Sequence, residues 1–318
     1  MLTFITRRLI LAIATLFLAS VLVFLAVRWL PGDPILMLVT KNQQQELNVE
    51  LEQELRKIHG LDKPVVVQYF SWLGDLFRGD FGLSIVSQNP VSEEIWRRLP
   101  ISLYIGGWAF LIGHLLGIPA GVMCAVRRGK WIDNLLTTMA NIGVTVPNFL
   151  LAIGLMYLLG LKAGWLPIMG FTWPTEDFWM STKQLIMPVI CLALFPLAGV
   201  TRQMRSSMLE VMSQDYIRTA WSKGLRERVI VVRHAVKNGM IPIVTLAGIG
   251  VAGIVGGGAV IETVFNINGL GRLAVTAIVN QDFPYVQAVA LIVAGVVILT
   301  NLLVDIAYGW LDPRIRYG

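Results

Sequence analysis

The chain has 318 residues, of which 55% are apolar and only 14% charged, with a mean hydropathy of +0.67. That balance excludes an ordinary soluble domain of this length and defines an integral membrane protein. The formal net charge of +6 reflects how the loops are arranged across the membrane and does not point to nucleic acid.

A helix needs about 20 mostly apolar residues to cross a hydrocarbon core about 30 Å thick. Six segments meet that length: residues 9–30, 101–126, 134–160, 184–200, 240–261 and 285–308. The expected fold class is therefore an all-α polytopic membrane protein with six transmembrane helices. The first segment follows Arg7 and Arg8, as a secretory signal would. Its apolar run exceeds a signal core and no small-residue cleavage site follows before "LPGDP" at residues 30–34, so it reads as a retained helix.

Lysine and arginine collect in short cytoplasmic loops. With the N-terminus inside, fifteen fall on the cytoplasmic side: Arg7, Arg8, Arg127, Arg128, Lys130, eight from Arg202 to Lys237, Arg314 and Arg316. The opposite short loops hold only Lys162, Lys183 and Arg272. Both termini are thus expected in the cytoplasm. The domain reading that follows is 1–30 as terminus and first helix, 31–100 as an extracytoplasmic segment, 101–308 as a five-helix core with a cytoplasmic loop at 205–239, and 309–318 as a tail. Within the outer segment, Leu47, Leu51, Leu55 and Ile58 repeat at helical spacing before Gly60 and Pro64, which predicts a small folded cap.

The two cysteines, Cys124 and Cys191, fall in membrane segments and read as packed thiols. No phosphate-cradling G-x-x-x-x-G-K-[ST] loop is present, so the chain is not expected to hydrolyse ATP itself; HExxH, GxSxG and paired cysteine ligands are also missing, and no catalytic or metal residues are assigned. Ionisable groups near the membrane are few: His114, with Arg28, Glu262 and Asp305 near helix ends. For His114 a helix–helix hydrogen bond is expected over a proton relay, since no carboxylate sits at comparable depth.

The most charged stretch, residues 215–238, carries six basic and two acidic side chains between two very apolar passages. Ile217, Ala220, Trp221 and Gly224 form one stripe at three- and four-residue spacing, and Gly224 can turn the chain. A second amphipathic helix should follow, with Leu225, Val229, Val232 and Val236 as its apolar row. Periodicity alone fits a helix on lipid headgroups as well as one docked on a protein.

The piece "RTAWSKGL" resembles the cytoplasmic EAA loop of ATP-binding-cassette importer permeases, nearest to the dipeptide, oligopeptide and nickel permease family, through Ala220 followed four residues later by Gly224. Other family-like pieces run in order along the chain: "LPGDP", "GLDKP", "GDFGLS", "VPNF", "GWLP", "VFNINGLGRL", "DFPYVQA" and "DPRIR". The chain departs from the general pattern at Arg218-Thr219, where Glu-Ala is usual, and at residues 234–237, where Ile-x-Leu-Pro is usual. Asn268 stands for a proline, and Ile101-Ser102 for a polar pair.

The resemblance implies a type I importer permease fold and assigns ATPase coupling to Tyr216, Ile217, Arg218, Thr219, Ala220, Trp221, Ser222, Lys223, Gly224 and Leu225. It implies partners: a homologous second permease, two cytoplasmic ATP-binding subunits that hold ATP and magnesium, an extracytoplasmic solute-binding protein and membrane lipid, in the bacterial inner membrane. No cofactor is implied in this chain. The function implied is import of di- or oligopeptides; a nickel or glutathione permease of the same family, and an ion-gradient-driven carrier, are the alternatives.

Two further features come from the residues themselves. Glycines crowd positions 248–258, and Gly253-x-x-x-Gly257 permits a close helix approach. Asn141, Thr145 and Asn148, at spacings of four and three beside Pro147, are expected on one helix side as a polar stripe along a translocation pathway.

Overall fold

A computed structural model describes residues 2–29, 53, 56–57, 60–256 and 258–311. Leu47, Leu51 and Leu55, Gly257, and the "LPGDP" and "DPRIR" pieces lie outside the described residues. The helices in chain order are α1 Leu2–Trp29, α2 Val65–Phe77, α3 Val91–Val126, α4 Trp131–Thr145, α5 Asn148–Leu155, α6 Phe178–Met212, α7 Asp215–Ser222, α8 Glu227–Gly239, α9 Ile241–Gly256, α10 Ala259–Val264, α11 Leu270–Val279 and α12 Phe283–Leu311. A π-helical turn, Met156–Lys162, extends α5, and another, Ile230–Val236, forms the middle of α8.

Four helices, α1, α3, α6 and α12, are each long and apolar enough to cross a membrane; two bent pairs, α4 with α5 and α8 with α9, bring the count to six when each pair is one crossing. The third segment is therefore not the single helix read from hydropathy, because α4 and α5 meet at 99°. Pro147 causes the break: its ring expels Val146 from the helical region (ψ 121°), and it has no N–H to continue the ladder. Asn148 consequently belongs to a different helix from Asn141 and Thr145, and the polar stripe does not exist as one helix side.

Half of the apolar window of α6 is buried, against 17% for α1 and 11% for α12. So α6 is the axis, while α1 and α12 pair with each other at the periphery and turn Ile10, Ile13, Phe17, Leu299 and Leu303 outward. An ion pair between Arg8 and Asp305, 2.7 Å apart, ties the start of α1 to the last turns of α12.

The largest contact in the molecule is between α3 and α6. Gly113, Gly117 and Gly121 repeat every fourth residue on α3 and meet Pro196, Leu197 and Thr201 of α6 in the same order, so the two helices run parallel. A β-carbon on Gly117 would stand 2.9 Å from the Leu197 carbonyl oxygen, and one on Gly121 would stand 2.6 Å from that of Thr201. The expected Gly253-x-x-x-Gly257 approach is not the close one, since nothing lies within 4 Å of a β-carbon at Gly253.

Three apolar clusters follow one another along this pair. One end joins Val91 and Ile95 of α3 to Leu270, Leu273 and Tyr285. The middle joins Ile105 and Ala109 to Met187, Cys191 and Ala152. The other, basic end joins Ala125 to Met204, Met208, Ile217, Ile230 and Ala235. Cys124 and Cys191 are both buried free thiols.

Polar pins fasten the end opposite the basic loop. Asp282, 3% exposed, accepts from the Ser84 hydroxyl and the Ile85 N–H, joining "GDFGLS" to "DFPYVQA". Buried Glu262 accepts from the Ser102 hydroxyl (2.6 Å) and the Arg272 N–H (2.8 Å), while Ser102 also accepts from the Leu270 N–H. Ser102 thus performs a polar task at the position where the chain departs from its resembled family. Helix α2 lies against α1: Tyr69 and Ser20 share a hydrogen bond of 2.9 Å, and Arg28 donates twice to Gln68.

The seam between α3 and α6 makes a direct prediction. Gly117→Val forces a branched side chain into backbone and should cost about 1–3 kcal/mol, read as a lower thermal midpoint of the purified protein. Gly107→Ala, on the same helix with open space around its β-carbon, should leave the midpoint unchanged; equal midpoints for both variants would refute the seam.

Candidate functional site: the basic lever

Helix α7 is bounded by a turn at Ser213 and Gln214 and by Gly224, whose φ of +72° lies in the left-handed region that a side chain disfavours. Gly224 donates its N–H to the Trp221 carbonyl and Leu225 donates to Ala220, which closes the helix and reverses the chain. The expected turn at Gly224 is present.

The stripe itself faces differently from expectation. Ile217 is 0% exposed and Ala220 7%; both belong to the buried cluster that holds Ile230 and Ala235 of α8 and Met204 and Met208 of α6, with the π-helical turn of α8 as the element α7 lies against, so they anchor the helix to its own bundle. Tyr216 and Trp221, 44% and 45% exposed, flank that anchor, and Arg218, Thr219, Ser222, Lys223, Gly224 and Leu225 are exposed as well. An apolar stripe can be satisfied inside the chain, and here it is; the surface offered outward is basic with two aromatic rings. Arg218 pairs with Asp215 at 3.4 Å, but both are exposed, and such a pair adds little stability. Asn238 of α8 donates to the Tyr216 hydroxyl at 2.9 Å, bracing the open side of α7.

The second apolar row is also corrected. Ile230, Val231, Ala235 and Gly239 are the buried residues of α8, while of the expected row Leu225, Val229 and Val232 are exposed and Val236 is half-buried. The π-helical turn Ile230–Val236, with its i→i+5 bonding, places one extra residue in the turn and rotates the buried face off a 3.6-residue row.

A buried ion pair supports this lever from behind. Asp133, 2% exposed at the start of α4, receives two bonds from the Arg205 guanidinium of α6, at 2.7 and 2.8 Å, with further bonds from the Gly129 N–H and the Thr137 hydroxyl. The fork geometry locks the turn between α3 and α4 onto the stretch of α6 that also receives α7. Sequence reading missed this pair: Arg205 was counted among loop charges, and nothing in spacing links residues 72 positions apart. The glycine seam was legible as a repeat of four but went unread.

The proposed pathway residues separate. Asn148 lines an apolar cavity between α3, α6 and α9, whereas Asn141 and Thr145 are exposed on α4 and do not line it; the Thr145 hydroxyl donates back to the Asn141 carbonyl.

Apolar crossings built on one seam, with a short basic helix held at one end of the bundle, define a polytopic membrane protein. Residues 1–106 match the N-terminal family described as "Binding-prot-dependent transport system membrane comp, N-term", and residues 117–317 match "Binding-protein-dependent transport system inner membrane component". The chain belongs to this family of binding-protein-dependent transport system inner membrane components. It is 37% identical to a probable peptide ABC transporter permease of Sinorhizobium fredii, with 99% of each chain covered. It is 40% identical to a putative peptide transport system permease of Brucella abortus, with 98% of each covered. It is 38% identical to the glutathione transport system permease GsiC of Escherichia coli, with 100% of each covered. A chain of the inward-facing MetNI methionine ABC transporter shares the fold, with a TM-score of 0.57 at 17% identity over 69% of this chain and 96% of that one. The fold is that of a type I ABC importer permease.

Asp133→Asn should weaken the hold on Arg205 and lower stability by on the order of 1–3 kcal/mol, seen as an earlier thermal transition of the purified protein. Arg205→Lys keeps the charge but loses the fork, so its loss should be intermediate. A transition unaltered in both would remove the pair from the support of the lever.

Proposed function

We propose that this chain is the membrane-spanning subunit of an ATP-driven, binding-protein-dependent importer of di- or oligopeptides in the bacterial inner membrane. The observation that carries the reading is the basic lever: a short helix anchored by buried Ile217 and Ala220, with Tyr216, Arg218, Trp221 and Lys223 turned outward. The peptide substrate is supported by relatives named for peptides along the whole length of the chain. One full-length relative is named for glutathione, itself a tripeptide, so the same pathway suits either.

In this reading α7 docks on a cytoplasmic ATPase subunit, which supplies the ATP and magnesium chemistry; this chain hydrolyses nothing. A second permease completes the path, a solute-binding protein delivers substrate from outside, and lipid surrounds α1 and α12. Closure of the motor presses on α7, and its anchor passes the displacement through the π-helical turn of α8 to α6, a rigid element switching between two states. Asn148 stands in the pathway; Asn141 and Thr145 stand outside its cavity.

Gly224 tests the coupling. A β-carbon there meets open space, so Gly224→Glu acts through the left-handed backbone and the docking surface and not through a clash in the bundle. The variant should insert normally and leave substrate binding by the binding protein intact, while ATPase association and uptake are lost. Retained uptake with normal coupled hydrolysis would reject the docking role and favour a headgroup helix. A purified chain that moves substrate in liposomes on an imposed ion gradient, without ATPases, would establish the carrier alternative instead.

Orientation is tested by labelling. The Arg8–Asp305 pair puts the start of α1 and the end of α12 at one end of the bundle, which we assign to the cytoplasm with the basic lever. A cysteine at Thr175 should react with an impermeant reagent in sealed cells, and one at Ser222 should not; both residues are exposed. Reaction at Ser222 would invert the topology.

A further inference from the structure

His114 does not make the helix–helix hydrogen bond expected of it. Its Nδ1 lies 2.8 Å from the Phe110 carbonyl, one turn back on its own helix, and its ring stacks on Phe110 with centroids 4.1 Å apart. A carbonyl oxygen only accepts, so Nδ1 carries the proton, and in the neutral imidazole Nε2 is left as a bare acceptor. That Nε2 is buried and has no hydrogen-bond partner among the described residues. A buried, unmatched polar atom of this kind is uncommon and costly, and inside a membrane segment it marks function.

The side chain borders the apolar cavity described above, of about 400 Å³, which is within the range that holds small ligands. Among its lining side chains only His114 and Asn148 are polar. Its volume exists because glycines line it: a β-carbon at Gly253 or Gly199 would meet nothing within 4 Å, and one at Gly250 would approach the His114 ring at 3.8 Å. The His114 ring therefore borders an apolar wall, and Nε2, which is closed to solvent here and lacks a donor, becomes reachable from the cavity only when that wall shifts. No acidic or basic side chain lines the cavity to compete for that acceptor.

We propose that His114 and this cavity form a membrane-embedded contact site for the transported peptide, in which Nε2 accepts a hydrogen bond from a peptide N–H or the terminal ammonium while the apolar wall receives the adjoining side chain. The proposal rests on the peptide-import reading. It makes His114 a substrate-contacting residue on α3, at the level of the glycine seam, with Asn148 as the second polar group. Position 253 then sets how large a side chain the site admits.

The experiment uses the complete transporter in proteoliposomes with its binding protein, and follows uptake of trileucine, N-acetyl-trileucine and triglycine. His114→Phe keeps the ring and its stacking but removes the acceptor, so uptake should fall about fivefold or more, and His114→Gln, which restores an acceptor, should recover most of it. If the terminal ammonium is the donor, N-acetyl-trileucine will be indifferent to His114→Phe; if an amide N–H is the donor, both forms will lose equally. Gly253→Leu fills the cavity without a clash and should depress trileucine uptake more than triglycine uptake. Wild-type uptake in both His114→Phe and Gly253→Leu would overturn the site. Loss of assembly with the second permease in His114→Phe, with no transport defect in the complexes that do form, would assign Nε2 to a subunit contact and overturn it as well. If the wild-type transporter imports none of the three peptides while ATP hydrolysis remains coupled to its binding protein, the peptide reading itself falls and this site with it.

Discussion

Everything in this bundle depends on how closely α3 can approach α6. Lipid chains are as apolar as leucine, so burial in the membrane does not by itself drive helices together; van der Waals contact between close backbones does. Gly113, Gly117 and Gly121 permit that contact, and the carbonyl groups of Ala193, Leu197 and Thr201 occupy the space their side chains would have taken. With the two helices fixed parallel and in register, α4 can run back along α6 from Asp133 to Gly143, and α9 can run back along α3 from Gly250 towards Gly106.

The same seam gives the lever its purchase. Met204, against the last seam glycine, and Met208 share one buried cluster with Ile217, Ile230 and Ala235. Methionine adapts to irregular neighbours, which suits a joint that must hold α7 and α8 while being displaced. The Asp133–Arg205 fork sits on the same stretch of α6 and opposes slippage between α4 and α6. In the proposed coupling, a push on α7 reaches the axis of the bundle through the π-helical turn of α8, which lies against both α7 and α6. The cavity that His114 enters lies between the same helix pair and α9, so relative tilt of α9 changes its volume directly.

Much of this was legible in the residues. Apolar run lengths located the four helices long enough to cross and both bent pairs, because the bilayer sets a minimum length that few soluble segments reach. The left-handed turn at Gly224 was legible because a glycine after an amphipathic helix has a narrow set of uses. The orientation of the α7 stripe was not, since Ile217 and Ala220 are equally suited to a partner's groove and to the chain's own α6. The apolar row of α8 was misplaced because periodicity assumes 3.6 residues per turn, and a π-helical turn breaks that assumption locally.

The sequence by itself determined the class of molecule, the apolar segments, the basic end of the bundle and the family, since these depend on composition, length and local motifs. Tertiary structure alone decided which polar groups matter. Asp133 and Arg205, Ser102 and Glu262, and Ser84 and Asp282 meet across separations of 72, 160 and 198 residues, and no local pattern encodes such meetings. It likewise decided that Asn148 faces a cavity while Asn141 and Thr145 do not, because the direction of a side chain beyond a proline break follows from how the next helix packs. For His114 the sequence supplied an imidazole in an apolar run; only the packing of the helices around it decided that the ring bonds back to Phe110 and that Nε2 has no partner among the described residues.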